Sequence, residues 1–318
     1  MHKKTIPYTI IGGYLGAGKT TLLNNLLRHN RGLRLAVLVN DFGDINIDAD
    51  LVVNNDGDTI NLASGCICCS LADGFMQALA RLRDRADRID HIIVEASGVS
   101  DPVKIGQYGA ILDYALDGVI VLADAEQIRE KAANKYVGDT VIRQLRGADL
   151  LVLNKVDLVT TSELAEVRRW LASVAPGVRI VTTTHGDVPL AILLGAHTAV
   201  PDTNQASEVH NHSEHDHTAI YETHSIVSVA PVTRASFAAM LNALPEGILR
   251  AKGFVYLTDD PATCHVLQLV GSRWELTAAR PWGETPPATR LVFIGLPGSI
   301  DQAEIEQQLF GALTLPGT

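Results

Sequence analysis

Ten consecutive residues, Gly12-Gly13-Tyr14-Leu15-Gly16-Ala17-Gly18-Lys19-Thr20-Thr21, have the types and spacing to hold a chain of phosphates. Gly13 to Thr20 fits the pattern G-x-x-x-x-G-K-[ST]. Glycines let successive backbone N–H groups turn toward one anion, and a helix beginning there adds its positive dipole end. In that pattern Lys19 reaches the β- and γ-phosphates and Thr20 ligates Mg²⁺, with Gly13, Gly16, Ala17, Gly18 and Thr21 lining the same cradle. The apolar run Tyr8 to Ile11 before it and the helical spacing from Thr21 to Leu27 after it supply the strand, turn and helix that the motif needs.

Four further constellations bear on chemistry. Asn154-Lys155-Val156-Asp157 follows the apolar run Leu150 to Leu153, at the strand end where ligands gather. A carboxylate at Asp157 accepts from the N1 and N2 donors of guanine, a pair that adenine lacks, so it points to GTP over ATP. Ile92 to Val94 leads into Glu95, with Gly98 three residues on. That acid can hold the Mg²⁺ water shell or position an attacking water, and Gly98 leaves an amide for the γ-phosphate. Asp41 and Asp44 follow the second apolar strand, where they serve Mg²⁺, a second metal, or nothing beyond solvation.

Gly65-Cys66-Ile67-Cys68-Cys69 packs three thiols into four residues. Adjacent Cα atoms about 3.8 Å apart suit a disulfide poorly. Curled at Gly65, Cys66, Cys68 and Cys69 can instead converge on one tetrahedral Zn²⁺, leaving a fourth position to water, a carboxylate or a histidine. A set short of four favours catalysis or transfer over a closed structural site. His210, His212, His215 and His217 stand in a polar stretch, readable either as a loose metal-collecting arm or as a hydrophilic linker.

These groups require a scaffold, and the chain's pattern predicts one. Short β-rich runs alternate with helical patterns as far as about residue 185, which predicts an α/β domain: a mostly parallel P-loop NTPase sheet with helices on both faces. Polar residues then take over between about 195 and 223. Beyond them strands at 225–229, 253–257, 265–270 and 290–294, with helices at 234–244 and 301–309, predict a smaller C-terminal α+β domain. The expected division is a nucleotide-binding domain over 1–194, a linker over 195–223 and a C-terminal domain over 224–318. Thr160 and Glu163 are spaced as a capping box.

Composition narrows the partners. A net charge of −10 with 19% charged residues lacks the basic stripe that a nucleic-acid surface needs. No apolar run approaches the length of a membrane span. The basic start, Met1 to Lys4, runs directly into the phosphate loop, so it does not read as a cleaved leader. Clustered, unpaired thiols fit a cytoplasmic protein.

Taken together, these residues resemble the CobW family of GTP-dependent metallochaperones, relatives of the urease and hydrogenase nickel-insertion GTPases. The resemblance is carried by Gly13 to Thr20, by Asn40-Asp41-Phe42-Gly43-Asp44, by the C-x-C-C element of Cys66, Cys68 and Cys69, by Glu95 to Pro102, by Asn154 to Asp157 and by Arg250 to Phe254. Asp41 and Asp44 stand where family members commonly carry glutamates. The resemblance implies GTP hydrolysis with Mg²⁺, Zn²⁺ bound at the C-x-C-C loop with Co²⁺ or Ni²⁺ as alternatives, and a client metalloprotein that receives the metal. A homodimer is compatible with it. Two rivals are a zinc store or sensor with vestigial turnover, and a small-molecule kinase on the same loop, against which Asp157 speaks.

Overall fold

Seven residues of β1 (Pro7–Gly13) run through the middle of a parallel sheet, and all but the first of them are buried. The computed structural model describes residues 5–30, 32–39, 60–61, 71–195 and 221–310 of the chain. Within them β3 (Ile60–Asn61), β2 (Leu35–Val39), β4 (His91–Glu95), β1, β5 (Ala115–Asp124), β6 (Leu150–Asn154) and β7 (Arg179–Thr182) lie side by side in that order, every pair parallel. The strands are near-continuous apolar runs because a parallel sheet is covered on both faces. From β1 the chain fills one side of the sheet and then crosses to β5 on the other. The glycine loop leaving β1 therefore sits at the point where the strand order reverses, the usual place for a ligand in such folds.

One face packs Tyr8, Ile10, Ile92, Val94, Val119 and Val121 against α2 (Leu71–Arg83), α3 (Pro102–Ile111), α5 (Gly138–Arg146) and α6 (Thr161–Val174), through Leu79, Ile105, Leu145 and Leu171. On α1 (Lys19–His29), Leu22, Leu23, Leu26 and Leu27 form the buried stripe, and Arg28 and His29 favour the negative dipole end. These leucines lie outside that cluster although α1 packs on β1 and β4, so α1 covers the opposite face.

Three central strands also carry a buried polar line. Thr9 Oγ1 donates to Asp117 Oδ2 at 3.3 Å and stands 2.8 Å from His91 Nε2. A hydroxyl has one proton, so with that proton directed to Asp117 the imidazole must supply the other, and Nε2 is protonated.

Local chemistry sets the helix bounds. Thr160 and Glu163 form the capping box at the start of α6. α4 (Ile128–Ala133) starts only after a turn in which the Asp124 carboxylate accepts from the amides of Glu126 and Gln127 at 2.9 and 3.3 Å. α3 has little apolar periodicity to announce it. Its signal is the Asp101-Pro102 pair, a side-chain cap on the amides of Val103 and Lys104 followed by proline at the first helical position. A short α7 (Leu190–Leu194) closes the unit.

The chain divides into two compact units, Met1–Leu194 and Gly195–Thr318. The second holds a five-stranded antiparallel sheet in the order β11 (Arg273–Pro281), β10 (Thr263–Val270), β9 (Ile248–Val255), β12 (Thr289–Gly295), β8 (Glu222–Ser228). Ile226, Leu267, Leu291 and Phe293 of its inner face pack on Phe237 and Met240 of α8 (Arg234–Ala243) and on Ile305 and Leu309 of α9 (Gln302–Phe310). β11 was not expected from sequence; it is an edge strand, largely exposed, so its residues carry no strong apolar alternation. Cys264 is buried in β10, and burial pushes its thiol up against the opposing pull of Arg280 and Arg290.

Candidate functional site

At the end of β1 the backbone turns through Gly13, Gly16 and Gly18, all with positive φ, and enters α1 at Lys19. Gly18 has φ 100°, and a Cβ there would lie 2.4 Å from the side-chain nitrogen of Asn154. Only glycine fits, and the reason is the second motif pressing on the first. No side chain caps α1, and the positive end of its dipole faces the cradle, where it favours an anion. Lys19 is only 7% exposed. Ala17 is buried, while Thr21 points its side to solvent.

Thr20 and Glu95 are brought together from strands and helix 75 residues apart. Thr20 Oγ1 donates to Glu95 Oε1 at 2.9 Å, and Glu95, 2% exposed, ends β4 directly beside β1. Parallel pairing prepares this contact: Ile11 and Glu95 share one register position, so the acid ends β4 beside the strand that leads into the loop. Two oxygens of this kind, one hydroxyl and one carboxylate, are the hard donors that Mg²⁺ takes. A positive-φ glycine cradle, a buried ammonium and this oxygen pair together fit a magnesium triphosphate.

The loop after β4 is equally fixed. Gly98 is buried, and a Cβ on it would come within 2.6 Å of the Leu15 side chain at the tip of the phosphate loop. From α5, Gln144 donates its one amide to the carbonyls of Gly98 and Ser100 at 3.1 and 2.8 Å. Gln144 had no sequence signal; it is a buried polar residue on an otherwise amphipathic helix, 2% exposed.

Asn154 closes β6 and joins two loops. Its Nδ2 donates to the Ala17 carbonyl at 2.9 Å, and its Oδ1 accepts from the Gly186 amide at 3.0 Å. Lys155 takes left-handed backbone, φ 61°, and its Nζ meets Asp124 Oδ2 at 2.7 Å. Asp124 was missed from sequence, although an acid ending the apolar run of β5 carries the same signal as Glu95. Asp157 lies exposed on the short 3₁₀ turn Val156–Leu158, free to face a ligand.

Asp41, Asp44, Cys66, Cys68, Cys69, His210, His212, His215 and His217 lie outside the described residues. Among the described residues no group of three or more His, Cys, Asp or Glu side chains is placed to hold a metal. None of the described helices is long and apolar enough to cross a membrane.

Residues 7–182 match the model of the CobW/HypB/UreG nucleotide-binding domain. The chain belongs to the CobW/HypB/UreG family. Residues 221–313 match the cobalamin synthesis protein cobW C-terminal domain, so the CobW likeness extends over both units. Among curated relatives, the zinc chaperone CobW of a Sinorhizobium species is 32% identical, with 94% of this chain and 95% of the relative covered. The zinc chaperone YjiA of Escherichia coli is 29% identical, covering 92% of this chain and 94% of its own. A crystal structure of the Zn(II)-bound YjiA GTPase from E. coli aligns over 98% of this chain and all of that one, at 25% identity and a TM-score of 0.45.

Proposed function

We propose that this CobW-family chain is a cytoplasmic, Mg²⁺-dependent GTPase that binds a transition metal, zinc in first place, and surrenders it to a client metalloprotein as GTP is turned over. The observation that carries the reading is the Thr20–Glu95 contact at the mouth of the glycine loop, in a chain whose near-full-length relatives are named zinc chaperones.

The residues divide the work. The amides of Gly13 to Thr21 and the Lys19 ammonium bind the phosphates and stabilise the charge that shifts to the leaving oxygen. Bound Mg²⁺ would neutralise charge on the phosphate oxygens, held by Thr20 Oγ1 with Glu95 behind it. Asp157 reads the guanine edge, and Lys155, anchored on Asp124, holds the turn that presents it. Gln144 fixes the Gly98 loop so that its backbone stays at the γ-phosphate end. Glu95→Gln keeps the shape and the acceptor oxygen but removes the charge. It is expected to lower Mg²⁺-dependent turnover by about tenfold or more while leaving GDP binding in chelator within about twofold. A variant with wild-type turnover would remove Glu95 from the magnesium site.

Cys66, Cys68 and Cys69 are the proposed thiolate ligands for the transferred metal, and Asp41 and Asp44 are proposed to serve Mg²⁺ or a second metal. The linker histidines His210, His212, His215 and His217 are proposed to help collect it. Coupling is tested by GTP turnover of metal-stripped protein with Mg²⁺, with and without one equivalent of Zn²⁺, in the unaltered chain and in the Cys66→Ala, Cys68→Ala, Cys69→Ala variant. Zinc-dependent change in turnover that disappears in the variant is the expected result. Turnover indifferent to zinc in both proteins would separate the thiols from the nucleotide cycle and leave them as a store.

A further inference from the structure

The loop that follows β7, Thr183 to Val188, contains two successive residues in left-handed backbone, His185 at φ 52° and Gly186 at φ 64°. For a non-glycine residue that conformation costs about 1 kcal/mol or more. Inside the loop the Thr183 hydroxyl donates to the Asp187 carbonyl at 2.6 Å and the Asp187 amide to the Thr184 carbonyl at 3.0 Å. His185 itself is held from outside by Asn25, whose Nδ2 donates to the His185 carbonyl at 2.8 Å. One residue later the Gly186 amide meets Asn154 Oδ1 at 3.0 Å, and Asn154 Nδ2 in turn meets the Ala17 carbonyl of the phosphate loop. The same loop accepts, through the Thr183 carbonyl, a 3.4 Å contact from the Val156 amide in the turn that carries Asp157.

The contacts form a closed circuit. It leaves α1 at Asn25, passes through His185, Gly186 and Asn154, and re-enters the phosphate loop at Ala17, just before α1 begins. The loop also rests on the helix itself: a Cβ on Gly186 would stand 2.9 Å from the Leu22 backbone nitrogen. Leu22 and Asn25 are three residues apart, hence on one face of α1. The helix whose N-terminus faces the phosphate cradle thus carries, within its first two turns, the support for the wall beside Asp157.

We propose that Asn25 is a positioning residue for guanine recognition: by holding His185 it fixes the Thr183–Val188 loop and, through it, the Asn154–Asp157 turn that reads the base. The inference rests on the guanine-nucleotide reading of the site given above. Asn25 touches no reacting atom, and its contribution is to the base end of the ligand, away from the phosphates.

That difference makes the inference testable against a general loss of structure. Inorganic tripolyphosphate presents the phosphates without a base, and GDP presents both. In Asn25→Ala the dissociation constant for GDP and the KM for GTP are expected to rise about tenfold, with kcat and the competition constant of tripolyphosphate within about twofold of the unaltered chain. Asn25→Asp sets a carboxylate against the His185 carbonyl and should weaken GDP further, while Asn25→Gln, which keeps the amide one methylene away, should recover part of the affinity. Should Asn25→Ala not fold, the ordering of Asp and Gln carries the same test. GDP affinity unchanged in Ala and Asp, or GDP and tripolyphosphate weakened in parallel, overturns the inference alone. An unaltered chain that binds tripolyphosphate but prefers neither GDP over ADP nor GTP over ATP overturns the guanine reading and this inference with it.

Discussion

Lys19→Ala should reduce GTP turnover by at least about a hundredfold, the scale seen when a preorganised cation or donor is removed from a transition state in which charge moves. Three features of the molecule make this the largest effect on activity. Lys19 is held nearly buried, so its ammonium is not diluted by solvent and its position requires no reordering during the reaction. It is the first residue of α1, where its charge adds to the amides of the helix start. No other described lysine or arginine comes from the glycine loop itself. The fold should survive the change, since alanine is the better helix former at that position. Steady-state turnover together with a melting curve separates the two effects. A variant that melts normally and hydrolyses GTP at more than a tenth of the original rate would remove Lys19 from the chemistry.

Gly253→Ala should be the most damaging single methyl in the second unit. Gly253 sits in the middle of β9, opposite Leu291 of β12 and Leu267 of β10. A Cβ there would fall 1.9 Å from the Arg290 carbonyl, inside the ladder that joins β9 to β12. A flexible side-chain end could swing away from such a clash, but a strand carbonyl cannot without breaking its ladder. The expected loss is about 3 kcal/mol or more, combining overpacking with the strained backbone that glycine alone tolerates. Trp274 and Trp282 belong to this unit and Trp170 to the other, so denaturant unfolding followed by tryptophan fluorescence reads it chiefly. A midpoint shift equivalent to less than about 1 kcal/mol would show that β12 yields at this point.

The parts of the site legible in the sequence are those whose residues lie consecutively. Gly13 to Thr21 and Asn154 to Asp157 each occupy one continuous stretch and announce themselves by type and spacing, and the alternation of apolar strands with helices was enough to predict a mostly parallel sheet, though not its strand order. Glu95 was legible for a different reason: parallel strands end at one edge, so an acid at the close of an apolar run must arrive beside the phosphate loop. What stayed hidden was whatever acts across the chain. Gln144 and Asn25 are polar residues on helix faces, and only the packing of α5 and α1 shows which carbonyls they reach. Asp124 had a readable signal that resembled an ordinary strand end. β11 and α3 were lost to weak periodicity, the first because it is an exposed edge and the second because Gly106 and Gly109 interrupt its apolar face, where Gly109 makes room for the Tyr8 ring.

The polar line through the central sheet has a consequence for time rather than for structure. Thr9, His91 and Asp117 come from β1, β4 and β5, and the Nε2 proton of His91 lies between them, out of contact with water. It can be replaced by deuterium only when those three strands part. Because β1 also delivers the phosphate loop and β4 delivers Glu95, the exchange half-life of that one imidazole proton is a clock for the opening of the platform beneath the nucleotide. Its slowing on addition of GDP would measure how firmly a ligand at one end of the strands locks the middle of the sheet.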